Sequence, residues 1–139
     1  MKTIQSCLKL DNQFVSNETK YIITIFKLVL PDVPGKPGLP EIIDWAENMV
    51  KLKWEPPIRD GGAPITGYII EMKDKFGTTY VKAAEVDKVC TGTVTRLEEG
   101  NQYQFRVRAV NKAGAGEPSE ATNPHTAKAR WRKCYLNFK

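Results

Sequence analysis

Residues 97–116 read LEEGNQYQFRVRAVNKAGAG, and this stretch decides the fold. Within it, apolar side chains occupy every second position, and the positions between them are polar or charged. The apolar residues are Tyr103, Phe105, Val107 and Ala109. A period of two sustained over this length predicts a half-buried antiparallel strand with one wet face. Turns rich in Gly and Asn flank the strand on both sides, so we expect the other strands to pack against its Tyr–Phe–Val face.

Six further segments have the composition of short strands separated by turns. Their predicted bounds are 40–45, 50–55, 68–73, 78–86 and 91–95 before the central strand, and 117–126 after it. Pro118 and Pro124 restrict hydrogen bonding of the last segment to one side. Seven short strands with regular turn signals, and no competing helix, predict an all-β, antiparallel Greek-key sandwich of the immunoglobulin-like type.

The alternating strands also predict which side chains form the core. In the second strand Val50, Leu52 and Trp54 alternate with Lys51, Lys53 and Glu55, and Trp54 is the best candidate for the centre of the core. The predicted core residues are Leu52, Trp54, Tyr68, Ile70, Leu97, Tyr103, Phe105 and Val107.

Proline content divides the chain. Residues 31–40 contain four prolines, which keep a segment extended and stiff. We therefore predict a Pro-rich linker at 31–36, a folded domain at 37–128 and a basic disordered tail at 129–139. Residues 1–30 are unassigned, and two interpretations stay open: a partial strand of a preceding domain, or a non-native leader. The apolar run 21–30 contains Lys27 and is shorter than the roughly 20 residues of a membrane span.

Charge argues against nucleic-acid binding. The net charge is +5, but residues 36–129 contain 13 Lys and Arg against 13 Asp and Glu. The excess comes from residues 130–139, which carry four cations, and from residues 1–35. Nucleic-acid binders usually carry their positive charge on the folded surface. We expect neither nucleic acid nor membrane as a partner.

The residues that could carry chemistry are few and scattered. Cys90 is the one cysteine within the predicted domain, so that domain can hold no internal disulfide, which fits a reducing compartment. His125 is the only histidine and supports neither a metal cluster nor a catalytic pair. We therefore predict no enzyme activity, no cofactor and no metal site. Cys90 is interpreted as a small apolar core filler, and His125 as a solvated or edge-strand residue.

Several motifs together resemble the fibronectin type III family. They are Val50-x-Leu52-x-Trp54-x-Pro56-Pro57, Gly67-Tyr68-x-Ile70-Glu71, Leu97 followed six residues later by Tyr103, Phe105-x-Val107-x-Ala109-Val110-Asn111, and Gly114-x-Gly116-x-Pro118-Ser119. The resemblance covers about two thirds of the chain. It implies that Tyr103 is a corner tyrosine whose hydroxyl bonds the backbone near residues 98–100.

A narrower resemblance is to the modules of titin, twitchin, projectin and myosin-binding protein C. Three segments carry it: Asp32-Val-Pro34-Gly35-x-Pro37, Pro56-Pro57-x-x-Asp60-Gly61-Gly62-x-Pro64-Ile65-x-Gly67-Tyr68, and Arg106-Val-Arg108-Ala-Val-Asn-Lys112-Ala-Gly114. The resemblance implies a tandem-array unit of the sarcomere, in the cytoplasm. Its expected partners are other sarcomeric filament proteins and neighbouring immunoglobulin- and fibronectin-like domains.

Two functions are compatible with the sequence. The first is an intracellular structural module of a muscle filament protein that contributes to sarcomere organisation and elasticity. The alternative is a fibronectin type III module of a cell-adhesion or receptor ectodomain. Arg106, Arg108 and Lys112 are possible contacts for a protein partner, and they are equally readable as solvated strand positions.

Overall fold

The computed structural model describes residues 30–130 of the 139-residue chain. The predictions for residues 1–29 and 131–139 lie outside the described residues. The chain divides into two units, Met1–Pro31 and Asp32–Lys139, and the account below concerns residues 32–130 of the second. It contains eight strands: β1 Glu41–Trp45, β2 Val50–Lys53, β3 Gly67–Asp74, β4 Val81–Val86, β5 Thr91–Val94, β6 Gln102–Asn111, β7 Gly114–Pro118 and β8 His125–Thr126.

Two antiparallel sheets make up the fold. The first has the strand order β1-β2-β5, and the second the order β4-β3-β6-β7, with β8 also paired to β6. Because β3 lies beside β6 although two strands, β4 and β5, come between them along the chain, the connections are those of a Greek key. The predicted all-β sandwich is confirmed. Residues 30–130 contain no helix long and apolar enough to cross a membrane.

The core lies between the two sheets and is centred on the residues of the alternating strands. Val50, Leu52 and Val94 come from the first sheet, and Ile70 and Phe105 from the second; all five are almost completely buried. Trp54 spans the gap, and its ring meets that of Tyr68 edge to face at 5.4 Å between centroids. Such pairs stabilise a core beyond the area that they bury.

The final edge differs from the prediction in one respect, since two short strands replace a single segment. Between β7 and β8 the amides of Ser119 and Thr122 still donate to the β6 carbonyls of Val107 and Phe105, both at 2.8 Å. In the other direction, two buried hydroxyls replace the missing backbone acceptors. The amide of Val107 donates to Ser119 Oγ at 3.0 Å, and that of Phe105 donates to Thr122 Oγ1 at 3.0 Å. Pairing continues although Pro118 and Pro124 bracket the gap, because each side chain takes the place of a ladder partner.

Residues 32–40, which we call the strap, dock against the loop that follows β2. The amides of Asp32, Gly35 and Gly38 donate to the carbonyls of Gly61, Arg59 and Glu55, at 2.7, 2.9 and 3.0 Å. Burial has the same period of three, since the buried members are Pro34, Pro37 and Pro40. A period of three in both bonding and burial is typical of a polyproline II segment. The proline-rich residues after Asp32 are therefore packed against the sandwich.

Asn111, at the end of β6, locks the start of the strap. Its buried side-chain amide donates to the carbonyls of Asp32 and Asp60 at 2.7 and 2.8 Å, and its side-chain oxygen accepts from the amide of Ala113 at 2.8 Å. Two glycines make room for the strap, because a Cβ at Gly61 or Gly116 would overlap the backbone carbonyl of Asp32 or Pro34. The close approach therefore depends on residues without a side chain.

The segments that enter and leave the sandwich lie at opposite ends of β6. The strap begins beside Asn111, the last residue of β6, whereas Thr126 pairs with Gln102, the first. The amide of Gly100 then donates to the carbonyl of Ala127 at 2.8 Å and fixes the outgoing chain there. Ten residues of strand at about 3.3 Å each put these two points roughly 30 Å apart.

Candidate protein-binding face

The structure places all eight predicted core residues in the interior. Leu52, Ile70, Phe105 and Val107 are completely buried, and the others are nearly so. They belong to one continuous cluster, together with Val50, Val94, Ala109 and Ala127. These residues hold the two sheets together and are not exposed to a ligand.

Tyr103 closes the corner before β6. Its hydroxyl accepts a hydrogen bond from the amide of Glu98 at 3.1 Å, within the segment that the family resemblance implied. The next turn is held by Asn101, whose amide donates to the Glu98 carbonyl at 3.2 Å.

The contribution of the Glu98–Tyr103 hydrogen bond to stability can be measured by removing the Tyr103 hydroxyl oxygen. Tyr103→Phe leaves the Glu98 amide without its acceptor, and we expect the free energy of unfolding of the full chain to fall by about 1 kcal/mol. Urea unfolding followed by circular dichroism measures the change. Tyr80→Phe is the matched control, since no other described residue hydrogen-bonds the Tyr80 hydroxyl; a loss at Tyr80 as large as at Tyr103 would contradict the assignment.

The wet face of the β3–β6 pair carries a shared ion pair. Glu71 is paired in register with Arg106. One carboxylate oxygen accepts from Arg106 Nε at 2.5 Å, and the other accepts from Arg108 Nε at 3.0 Å. Arg108 also donates from Nη1 to the carbonyl of Gly116 at 3.0 Å. One acidic side chain of β3 thus pairs with two arginines of β6.

The ring of Tyr80 stacks against the guanidinium group of Arg106. The guanidinium carbon of Arg106 lies 4.0 Å from the centre of the Tyr80 ring, and Lys73 Nζ lies 5.1 Å from that centre. Cation–π contacts of this kind are worth about 0.5–1 kcal/mol at exposed sites. We call Glu71, Lys73, Tyr80, Arg106 and Arg108 the arginine face.

Of the three predicted contact residues, the structure brings two together. Arg106 and Arg108 share Glu71, whereas Lys112 is exposed in the turn that follows β6. With Tyr68 and Ile70 predicted to face the core, the alternation of the strand leaves Glu71 on its wet side, but the sequence did not connect Glu71 with the arginines, and Tyr80 was missed. The cross-strand register that joins residues 71 and 106 has no signal in a single sequence.

Cys90 and Tyr68 form a second polar contact, at the edge of the core. Cys90 is half-buried, packs against the core cluster, and donates from Sγ to Tyr68 Oη at 3.7 Å. Burial raises the pKa of the Tyr68 hydroxyl, and the hydrogen bond with Cys90 raises that pKa further. Residues 30–130 contain no group of three or more His, Cys, Asp or Glu side chains placed to hold a metal ion.

His125 lies in β8, at the sheet edge, and packs against the first strand. Its ring meets that of Trp45 edge to face at 5.6 Å, and its Nε2 is buried without a hydrogen-bond partner among the described residues. Burial lowers the pKa of His125, and the positive charge of Lys128 lowers that pKa further. Folding therefore favours the neutral imidazole of His125 over the protonated form.

This lowered pKa predicts that acid destabilises the fold. The unfolded chain takes up a proton near the ordinary pKa of about 6.5, while the folded chain resists it. The resulting loss of folding stability is absent well above that pH and grows as the pH falls through it. We expect the free energy of unfolding to drop between about pH 7.5 and 5.5. His125→Gln, measured by urea unfolding, should flatten the profile; an unchanged slope in the variant would assign the effect elsewhere.

Two facing antiparallel sheets, a tryptophan-centred core and a tyrosine corner define an immunoglobulin-like β-sandwich module. The family profile of the Fibronectin type III domain matches residues 35–125. The chain belongs to the fibronectin type III family.

The similarity extends to named proteins. The chain is 41% identical over 113 residues to "Titin homolog" of Caenorhabditis elegans, covering 81% of this chain and 1% of that protein. It is 40% identical over 104 residues to "Myosin-binding protein C, fast-type" of Homo sapiens, covering 74% of this chain and 9% of that protein. The solved structure of titin module A71 from human cardiac muscle superposes with a TM-score of 0.59 at 36% identity, over 71% of this chain and 94% of that module. The chain spans less than a tenth of the length of these two curated relatives.

Proposed function

We propose that this chain is a non-catalytic module of a muscle filament protein, one unit of a tandem series that contributes to sarcomere organisation and elasticity. The observation that carries the proposal is the position of the two chain ends. The strap is fixed at the Asn111 end of β6, and the outgoing chain is fixed at the Gln102 end. A module held at opposite ends can be joined head to tail, so that tension passes along the long axis of the sandwich.

The similarity to titin and myosin-binding protein C supports placing such a series in the cytoplasm of muscle, within the sarcomere. The arginine face and the exposed Lys112 supply polar surface for other filament proteins. Neighbouring immunoglobulin- and fibronectin-like modules would meet the two chain ends. The described residues offer no paired nucleophile and base, which favours a structural role over catalysis.

An immunolocalisation experiment tests this proposal. An antibody against the chain should label isolated myofibrils of the source organism in a regular striated pattern, and it should label intact muscle cells only after permeabilisation. Surface labelling of unpermeabilised cells would overturn the proposal in favour of a receptor or adhesion ectodomain. Diffuse label that washes out of myofibrils would overturn the assignment to a filament.

A further inference from the structure

Arg106 is held on two sides and open on the third. Its Nε is occupied by Glu71, and its planar face rests on Tyr80 at 4.0 Å. Neither terminal nitrogen of Arg106 hydrogen-bonds another residue in the range 30–130, and the side chain is 23% exposed. Arg108 differs, because its Nε and Nη1 are both taken, by Glu71 and by the Gly116 carbonyl. The outer edge of Arg106 is therefore a fixed pair of free donors.

The charge around Arg106 is positive. Glu71 is one carboxylate shared between two guanidinium groups, and Lys73 adds a third cation beside Tyr80. The nearby Lys82 is already paired with Glu85. Among the five residues of the arginine face, three positive charges thus stand against one negative charge.

We propose that the arginine face binds an acidic segment of a partner protein, with one Asp or Glu carboxylate of that segment seated on the free edge of Arg106. Arginine presents parallel donors that match a carboxylate in two-point fashion. Glu71 and Tyr80 orient the guanidinium before the partner arrives, so less side-chain entropy is lost on binding. A singly charged carboxylate suits this site better than a phosphate dianion, because Glu71 lies on the same guanidinium and repels added negative charge.

Tyr80 acts here as a positioning residue, since it orients Arg106 without touching the carboxylate. Lys73 supplies a second cation for the next acidic residue of the segment. The proposal rests on the proposed protein-binding role, but its chemistry can be tested without muscle proteins.

The test titrates the isotope-labelled full chain with a synthetic hexaglutamate peptide and follows the Nε–Hε signal of Arg106 by nuclear magnetic resonance. We expect saturable shifts at Arg106, Arg108 and Tyr80. Because the signals are read residue by residue, peptide bound to the basic residues 130–139 is distinguished from peptide on this face. Arg106 itself cannot report in its own variants, so the backbone amides of residues 71 and 80 are followed there.

Variants separate geometry from charge. Arg106→Gln should weaken binding at this face about tenfold or more, and Arg106→Lys, which keeps the charge but not the two-point fork, about fivefold. Tyr80→Leu should weaken it about threefold through lost orientation. Lys51→Gln, an exposed lysine on the wet face of the other sheet, should leave it unchanged. Unchanged backbone spectra away from the substituted residue show that each variant is folded.

Three results would overturn the proposal. Equal shifts at Lys51 and at Arg106 would reduce the interaction to general charge attraction. Unchanged affinity of folded Arg106→Gln for hexaglutamate would show that Arg106 does not hold the acidic segment. Inorganic phosphate that displaces the peptide at equal concentration would make the site a phosphate receptor. If hexaglutamate binds as expected but myofibrils are not labelled, the muscle assignment fails while the acidic-segment site stands.

Discussion

Trp54→Ala should lower the free energy of unfolding by about 3–5 kcal/mol, the largest loss expected from any single truncation in this module. Trp54 is 2% exposed and lies between the sheets, with its ring against Tyr68. Its removal leaves a cavity that Ile70 and the other neighbours cannot fill without moving. Because a domain of this size is stabilised by only about 5–15 kcal/mol in total, a large share of the variant should be unfolded at moderate urea.

Urea unfolding of the full chain, followed by far-ultraviolet circular dichroism, measures that loss. Phe76→Ala is the control, since Phe76 is 86% exposed in the β3–β4 turn and its truncation should change stability by no more than about 0.5 kcal/mol. A Trp54 variant as resistant to urea as the Phe76 variant would show that the proposed core is wrong.

Gly116→Ala should detach the strap and cost about 2–3 kcal/mol. The new Cβ would overlap the backbone carbonyl of Pro34, and a backbone atom cannot turn aside as a flexible side chain can. Relief requires the strap to lift away, which breaks the bonds from Gly35 and Gly38 to the loop after β2. The loss should therefore appear both in global stability and as local opening.

Hydrogen exchange distinguishes these two effects. In Gly116→Ala the amides of Gly35 and Gly38 should exchange much faster than those of β3 and β6, whereas in the wild type they should be protected. Gly35→Ala is the matched control, because a Cβ there meets its nearest atoms at an ordinary 3.6 Å. That control should be neutral or slightly stabilising, through reduced freedom of the unfolded chain. Protection of Gly38 that survives Gly116→Ala would contradict the tight fit.

The sandwich was predictable because its information is local. Alternation in residues 103–109 identifies the buried side of β6, and the same period identifies the buried sides of β2 and β3. The tyrosine corner follows from the family resemblance and needs only the short interval between Leu97 and Tyr103. In the structure, the alternating residues are the ones that are buried.

The arginine face was only half predictable, because it depends on strand register. Glu71 lies 35 and 37 residues from its two partners, and neither composition nor periodicity says which positions of β3 and β6 stand side by side. The stacking of Tyr80 depends in addition on where β4 begins. The strand there begins at Val81 and not at the predicted Thr78, which leaves Tyr80 just outside it.

The docking of the strap and the close contacts of the glycines could not be predicted from the sequence, for a different reason. Prolines spaced three apart predict an extended segment, but not that the segment finds a surface. The surface exists because Gly61 and Gly116 lack side chains and Asn111 supplies two donors. Gly92 is similar: it reads as part of a Thr-rich strand, yet a Cβ there would crowd Ile70 and approach Trp54. Such fits come from elements that are distant in sequence.

Because the strap repeats every three residues, the positions that attach it to the module are distinct from the positions that face solvent. Two positions in every three are committed, one to burial and one to a backbone bond, while Val33, Lys36 and Leu39 form an exposed row. Lys36 in that row also pairs with Glu120 at 3.1 Å, but none of the three side chains is needed for the backbone bonds of the strap. Repeated copies of this fold can therefore vary these three side chains from one module to the next and keep the same docked entry segment.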